Sequence, residues 1–484
     1  PRPSRRSAKL RGMTVAAVRV PDRLLLPAGF AAAALLGALV AVKPVLAVGL
    51  VGFAGIVLLA FLLPVAHLTL TLAVTMIVPY GIQNQYGLAG GSGLVLSDVL
   101  ILVGLLRALM ILARQPLERR RTLAMAGIGA LLAIAAMQAV RGWTLGFDTG
   151  QVGYEFRVLL GWSTIAIAIP LIRDRAARRR LYHGMLGVGI AVGIYGLMQY
   201  FELFTYFAEG QAGLREGVRF TSSGKGQIQG GLFAFPVGVL MGFAVLTSGT
   251  VRSRLGQVAL FALVGTNTIG LLLTYERTFW VATVLGLGYI AVRAGFAQRM
   301  RVVVLVVGLV VVVAPVMSTI APGALSAASE RLLSLNQYGS DDSVRARLQE
   351  GRHVVDKIQA HPIVGNGLGD TIYFGLPWLQ RPPAADYFSH NGYLWLAWKL
   401  GIPAAIFLLS VVVWAVAARP PPYADAIHRA VQLGAQAALL VILVVSITFP
   451  SFVALNITAL CGVLLAICLG LPRTRGARAT TTAP

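Results

Sequence analysis

The chain has 484 residues, 57% of them hydrophobic and only 12% charged, where a soluble globular protein carries about 25% charged residues. With a mean hydropathy of +0.77, this excludes a soluble globular domain and defines a polytopic membrane protein. The net charge of +23, from 41 basic and 18 acidic residues, falls in short clusters between apolar runs; that pattern orients helices in a lipid bilayer and points away from nucleic acid.

In chain order, residues 1–24 read as a basic cytoplasmic arm carrying Arg5, Arg6, Lys9 and Arg11. Apolar runs follow near 25–42, 45–63, 66–82, 97–113, 122–140, 156–173, 182–200, 228–248, 256–274, 278–293 and 301–320. Three more lie near 392–415, 431–449 and 452–471. The first run is read as a membrane span, not a cleaved signal peptide. The expectation is an all-α polytopic protein of about 12–14 transmembrane helices, some short enough to tilt little or re-enter. It divides into a helical core over 25–320, a long extracytoplasmic loop over 321–390, further membrane helices over 391–471 and a tail over 472–484.

If the spans alternate, the clusters at Arg119–Arg121, Arg175–Arg180, Arg252–Arg254, Arg299–Arg301, Arg419–Arg429 and Arg473–Arg478 share one side. The positive-inside rule makes that side the cytoplasm, with both termini on it. Lys43 and Arg141 are the exceptions. The opposite side receives residues 201–227, the tip at Glu276-Arg277 and the 321–390 loop. Within that loop, 343–360 has a helical pattern with a partial apolar face of Val344, Leu348, Val355 and Ile358, ended by Pro362 and three glycines. Cys461 and Cys468 share one apolar segment and suggest no disulfide.

Several polar islands stand out. Ser389-His390-Asn391 opens directly into an apolar run, which sets an imidazole and a carboxamide at the mouth of a membrane helix. The plainer reading is a helix cap among headgroups. Thr274-Tyr275-Glu276-Arg277-Thr278 interrupts about 35 apolar residues; charge there has a partner or a task, or is a bare hairpin tip. Adjacent Glu276 and Arg277 do not face each other on a helix. Arg219 precedes hydroxyls, glycines and Lys225 at the start of another run. Backbone N–H groups at a helix start favour an anion, and arginine adds a fork matched to phosphate. An interfacial loop beside lipid headgroups is the competing reading. Glu155 and Arg157 form a further island, and Arg345, Arg347 and Arg352 share part of a helical face that solvation alone would explain. Asp341-Asp342 is a weak cation candidate. The sequence has no His/Cys cluster with metal-ligand spacing, no phosphate-binding loop of the Walker type and no serine-nucleophile elbow. A basic extracytoplasmic pocket with one histidine and several arginines fits transfer from a lipid diphosphate to a hydroxyl.

At these residues the chain resembles the O-antigen ligase and O-antigen polymerase-like family of bacterial membrane glycosyltransferases, from about residue 155 to 415. His361-Pro362-Ile363-Val364-Gly365-Asn366-Gly367-Leu368-Gly369 resembles the family's His-Pro-x-x-Gly-x-Gly-x-Gly element. Ser389-His390-Asn391 with Tyr393-Leu394 and Leu400-Gly401 resembles its second loop motif. Arg277 ahead of Trp280, and Arg219 ahead of a glycine-rich helix start, resemble its two arginines. The chain departs from the family at Gln227-Ile228-Gln229, where Asn-Pro-Asn is common, and at Glu276, where serine is common.

The resemblance implies a GT-C-like helical fold in the bacterial cytoplasmic (inner) membrane, with the active site on the extracytoplasmic face. It implies a polyprenyl (undecaprenyl-type) diphosphate-linked glycan donor, a glycan or lipid-core acceptor, no cofactor and no metal. His390 would be the general base, Arg219 and Arg277 would hold the diphosphate with Lys225, and Arg345 or Arg347 would add a phosphate contact. Asn391 and Glu276 would support the acceptor side. Ligase, polymerase and protein O-glycosylation share this chemistry. The alternatives are a flippase of lipid-linked oligosaccharide, which would show paired halves and midplane polar residues, and a peptidoglycan-type polymerase built on a loop aspartate.

Overall fold

The computed structural model describes residues 44–78, 95–114, 119–201, 232–320, 329, 342–376 and 381–471. Chain contacts divide the molecule into two units, residues 1–58 and 59–484. In the first, the described part is the beginning of α1 (Pro44–Leu62), apolar throughout. The second unit holds the rest.

That unit begins with α2 (Pro64–Ile77), α3 (Leu96–Arg114), α4 (Arg119–Thr144), α5 (Thr149–Leu160), α6 (Thr164–Arg173) and α7 (Arg175–Tyr200). It continues with α8 (Ala234–Ser248), α9 (Arg254–Leu273), α10 (Arg277–Arg293) and α11 (Phe296–Ile320). The loop region contributes α12 (Asp342–Ala360) and a hairpin of β1 (Ile372–Leu376) and β2 (Arg381–Asp386). The chain closes with α13 (Gly392–Leu400), α14 (Ile402–Ala417), α15 (Ala426–Val445) and α16 (Leu455–Leu469).

Among the described residues, seven helical segments are long and apolar enough to cross a membrane, and five shorter apolar helices accompany them. The protein is thus an all-α, multi-pass membrane protein. A helix satisfies its own backbone groups, which hydrocarbon cannot do. The ends are closed by short polar side chains: Asp148, Asp174, Ser253 and Asp425 each accept a backbone N–H of the helix that follows. Exposed Val284 and Val292 on α10, and Val304 and Val311 on α11, give an apolar outer surface, which costs nothing against lipid.

The centre is α16, buried on nearly every side from Ile457 to Leu469. Two threonines lock it to the α5–α6 segment: Thr458 Oγ1 donates to Val158 O at 2.6 Å and Thr164 Oγ1 to Ala459 O at 2.7 Å. The turns that carry arginines gather at one end of the bundle. Arg178 pairs with Asp425 at 2.7 Å, and Arg301 donates to Thr247 O at 3.1 Å. The loop region docks on the other end, where Leu368 N reaches Gln138 O at 3.2 Å and Gly392 N reaches Ser446 O at 2.8 Å.

Two apolar runs that read as continuous are interrupted. The run from 156 contains a 3-10 turn at Gly161–Ser163. The run from 392 is two helices, broken at Gly401 with φ +88°. A Cβ on Gly401 would lie 2.1 Å from Ile363 O, and Ile402 N donates to Pro362 O at 2.8 Å. The glycine-rich element after α12 is therefore wedged into the break, and the missing side chain makes room for it.

Candidate functional site

The loop-end surface is organised by the turn that follows α15. On one side Gly392, two residues past His390, donates to Ser446 O. On the other, Thr278, next to Arg277, meets Thr448 through their hydroxyls at 2.9 Å. Phe449 of the same turn packs edge-on against Phe233 and Phe279, each 5.4 Å away, and those two lie 4.8 Å apart. Phe233 directly precedes α8, so the start of that helix also packs against this turn. Three stretches far apart in sequence, at Phe233, Thr278 and Gly392, thus meet residues 446–449. Arg219 and Lys225 lie outside the described residues.

His390 is held by two bonds from one carboxylate. Its backbone N–H donates to Glu350 Oε1 at 2.6 Å, and its Nδ1 meets Glu350 Oε2 at 2.5 Å. Glu350 is almost fully buried, whereas the imidazole is 37% exposed. With Nδ1–H committed to the carboxylate, Nε2 is the basic nitrogen. Phe388 stands edge-on to the ring at 5.2 Å. Asn391 caps α13, its Oδ1 accepting from Tyr393 N and Leu394 N at 3.0 Å each. Asp386, at the end of β2, completes an acidic surround. Burial raises its carboxyl above the ordinary range; the neighbouring Glu350 charge pushes the same way, and the Phe388 N–H and His390 oppose it.

Glu350 is absent from the sequence-derived candidates. The helix at 343–360 is present, but its buried face differs from the expected one. Val354 and Ile358 are buried, while Leu348 and Val355 are exposed. Glu350 sits four residues before Val354 and eight before Ile358, so it belongs to the inward stripe. An acidic residue in phase with two buried aliphatics was the available signal. Arg347, one turn earlier, is partly buried, and its Nε has no hydrogen-bond partner among the described residues. Arg345 is exposed.

Arg277 is the first residue of α10. The tip before it is strained: Tyr275 has φ +53°, the one non-glycine residue described with a positive φ. A bulky side chain there costs energy and persists only where neighbours enforce it. They do so here through Thr274 Oγ1, which donates to Leu271 O at 2.7 Å and accepts from Glu276 N at 3.2 Å, and through Trp280 Nε1, which donates to Leu271 O at 2.8 Å. The tip is built to fix the start of α10. Glu276 is its N-cap residue without a capping side-chain bond.

The island at Glu155 and Arg157 is internal. Arg157 Nε pairs with Asp98 at 2.7 Å, and Glu155 pairs with Lys399 at 2.8 Å, both side chains of the latter pair being fully buried. Lys399 also donates to Asp370 O at 2.5 Å, and Gly369 N donates to Glu155 Oε2 at 2.8 Å. Asp370 accepts from Lys357 Nζ at 2.9 Å and Trp398 Nε1 at 2.7 Å. This network fastens the glycine-rich element and the end of α12 to α5 and α13. It thereby fixes α12 and α13, which carry Glu350 and His390. No group of three or more potential metal-ligating side chains occurs among the described residues.

The fold and this surface define a multi-pass helical membrane protein in which a histidine–carboxylate pair and an arginine-bearing helix start are tied to one turn. Residues 259–409 match the model of the O-antigen ligase family, so this stretch, α9 through α14, is O-antigen ligase-like. The match includes Arg277, Glu350, Asp386 and His390. It supports glycosyl transfer of the O-antigen ligase or polymerase type in general. No curated protein matches the chain.

Proposed function

We propose that the protein transfers a saccharide from a polyprenyl-diphosphate-linked donor to a sugar hydroxyl, at the extracytoplasmic face of a bacterial inner membrane. The observation that carries this reading is the Glu350–His390 pair, set on the same turn as the helix that Arg277 opens. The acceptor oxygen attacks the anomeric carbon, and its proton passes to His390 Nε2. The bond from that carbon to the diphosphate oxygen breaks, and the polyprenyl diphosphate leaves with the electron pair. Arg277, with Arg219 and Lys225 from the preceding segment, stabilises the charge that develops on it. Guanidinium groups supply that stabilisation without a metal. Glu350 is a positioning residue: it selects the tautomer and favours the imidazolium once formed, as the carboxylate does in a catalytic triad. Ligation to a lipid-core sugar and polymerisation onto a second lipid-linked repeat use the same steps.

The test is glycan transfer in the native host. His390→Ala is expected to lower turnover by about 10²–10⁴-fold, the usual contribution of a general base, with lipid-linked precursor accumulating and membrane insertion unchanged. Glu350→Gln is expected to give a smaller loss. Normal polymer from His390→Ala would reduce the motif to a helix cap and return the flippase reading.

A further inference from the structure

At the arginine-rich end, remote from His390, α7, α8 and α9 form an apolar cleft that α2, α15 and α16 also line. Its inner end is pinned by Asn267, which is fully buried. Asn267 Nδ2 donates to Gly189 O at 2.9 Å and Leu263 O at 2.8 Å. A Cβ at Gly238 would lie 2.7 Å from the Asn267 carboxamide carbon, so α8 approaches closely there too. Away from this point the space between the helices widens into a partly open cavity of about 200 Å³. Leu72, Met185, Leu186, Met241, Leu260 and Leu263 form its walls.

The polar groups lie near the mouth. Arg179 and His183, four residues apart on one face of α7, line it and are exposed. Neither has a hydrogen bond or ion pair within the described residues. Tyr182, beside them, is already bonded to His428 Nδ1 at 2.5 Å. The two carboxylates of the adjoining turns are also engaged. Asp174 accepts from Ala177 N at 2.6 Å, while Asp425 pairs with Arg178 and accepts from His428 N, both at 2.7 Å. The N-terminus of α9 reaches the same mouth through Ser253 and Gly256, adding the positive end of a helix dipole. Exposed Arg252 and Arg254 flank it.

We infer that this cleft holds an anionic phospholipid from the leaflet at the arginine-rich end. One acyl chain occupies the methionine-lined cavity, and the phosphate is bound by Arg179 and His183. Charge complementarity selects this occupant: the mouth offers arginine guanidinium groups, while the nearby carboxylates are engaged elsewhere, directly above an apolar slot, the arrangement by which basic pockets between membrane helices bind anionic headgroups. A flexible thioether wall adapts to an acyl chain without a fixed shape.

The experiment is lipid analysis by mass spectrometry on the full-length protein purified from its membrane in mild detergent. One anionic phospholipid per chain is expected, falling to background in Arg179→Gln/His183→Gln and in Met241→Trp, which fills the cavity. As a measurement independent of variants, delipidated wild-type protein is melted with phosphatidylglycerol or phosphatidylcholine. Phosphatidylglycerol alone is expected to raise Tm with concentration, as a ligand of the folded state does. Equal shifts from both lipids, retention unaffected by both variants, or a polyprenyl phosphate as the retained lipid would each overturn the inference. None of these readouts depends on glycan transfer.

Discussion

His390 owes its setting to a side chain forty residues away in sequence. An unpaired imidazole at a helix mouth has two equivalent tautomers and a free ring. Glu350 removes both freedoms with two bonds from one buried carboxylate. The histidine was legible because polar triplets rarely open an apolar run. Its partner was not, because a glutamate in an amphipathic helix reads as solvated until the buried stripe is known. Arg277 was legible for the same reason as His390, whereas the strain at Tyr275 that fixes it is a matter of backbone angle. Arg277→Lys is expected to reduce transfer sharply, since an ammonium cannot reproduce a bidentate fork; near-normal turnover would make Arg277 only a hairpin tip. Asp386 gives a pH prediction. Its carboxyl is raised by burial first and by Glu350 in addition, so its contribution to stability is present below the ordinary carboxylate range and lost as pH rises through the raised value. Relative to Asp386→Asn, wild-type Tm is therefore expected to fall as pH increases across that window, by thermal unfolding in detergent.

At the scale of elements, the glycine-rich stretch 361–369 acts as a structural joint. It enters the break between α13 and α14 and is tied to α5 through the Glu155–Lys399 pair. Helix patterning announced α12 and the apolar runs. It missed the break at Gly401, because hydropathy is insensitive to one glycine, and the β1–β2 hairpin, whose strands are short. It also left Glu155 as a polar island without a partner in sequence, since Lys399 lies 244 residues further on. Breaking this pair leaves one buried charge uncompensated. Lys399→Met or Glu155→Leu alone is expected to cost about 3–5 kcal/mol, and the double variant Lys399→Met/Glu155→Leu to recover part of that. Denaturation of the purified variants measures both; additive losses would mean the two groups do not act as a pair.

For the whole molecule, the described arginine-bearing turns and the described part of the loop region lie at opposite ends of the bundle, which gives the proposed orientation a direct test. Arg352 and Arg419 are exposed at the two ends, and the native Cys461 and Cys468 are buried. A membrane-impermeant maleimide added to intact cells is expected to label Arg352→Cys and to spare Arg419→Cys until the membrane is opened; the reverse pattern would invert the protein and its site. Composition and the spacing of apolar runs were enough to define an all-α, multi-pass membrane protein, because hydrocarbon leaves few solutions for a backbone and each helix is encoded locally. The residue types of the candidate site were local too, since a histidine or arginine at a membrane boundary is conspicuous by its cost. Which groups meet was decided by packing alone. Glu350 with His390, Thr278 with Thr448 and Glu155 with Lys399 are contacts across long stretches of chain, and no periodicity within a single segment encodes its partner in another.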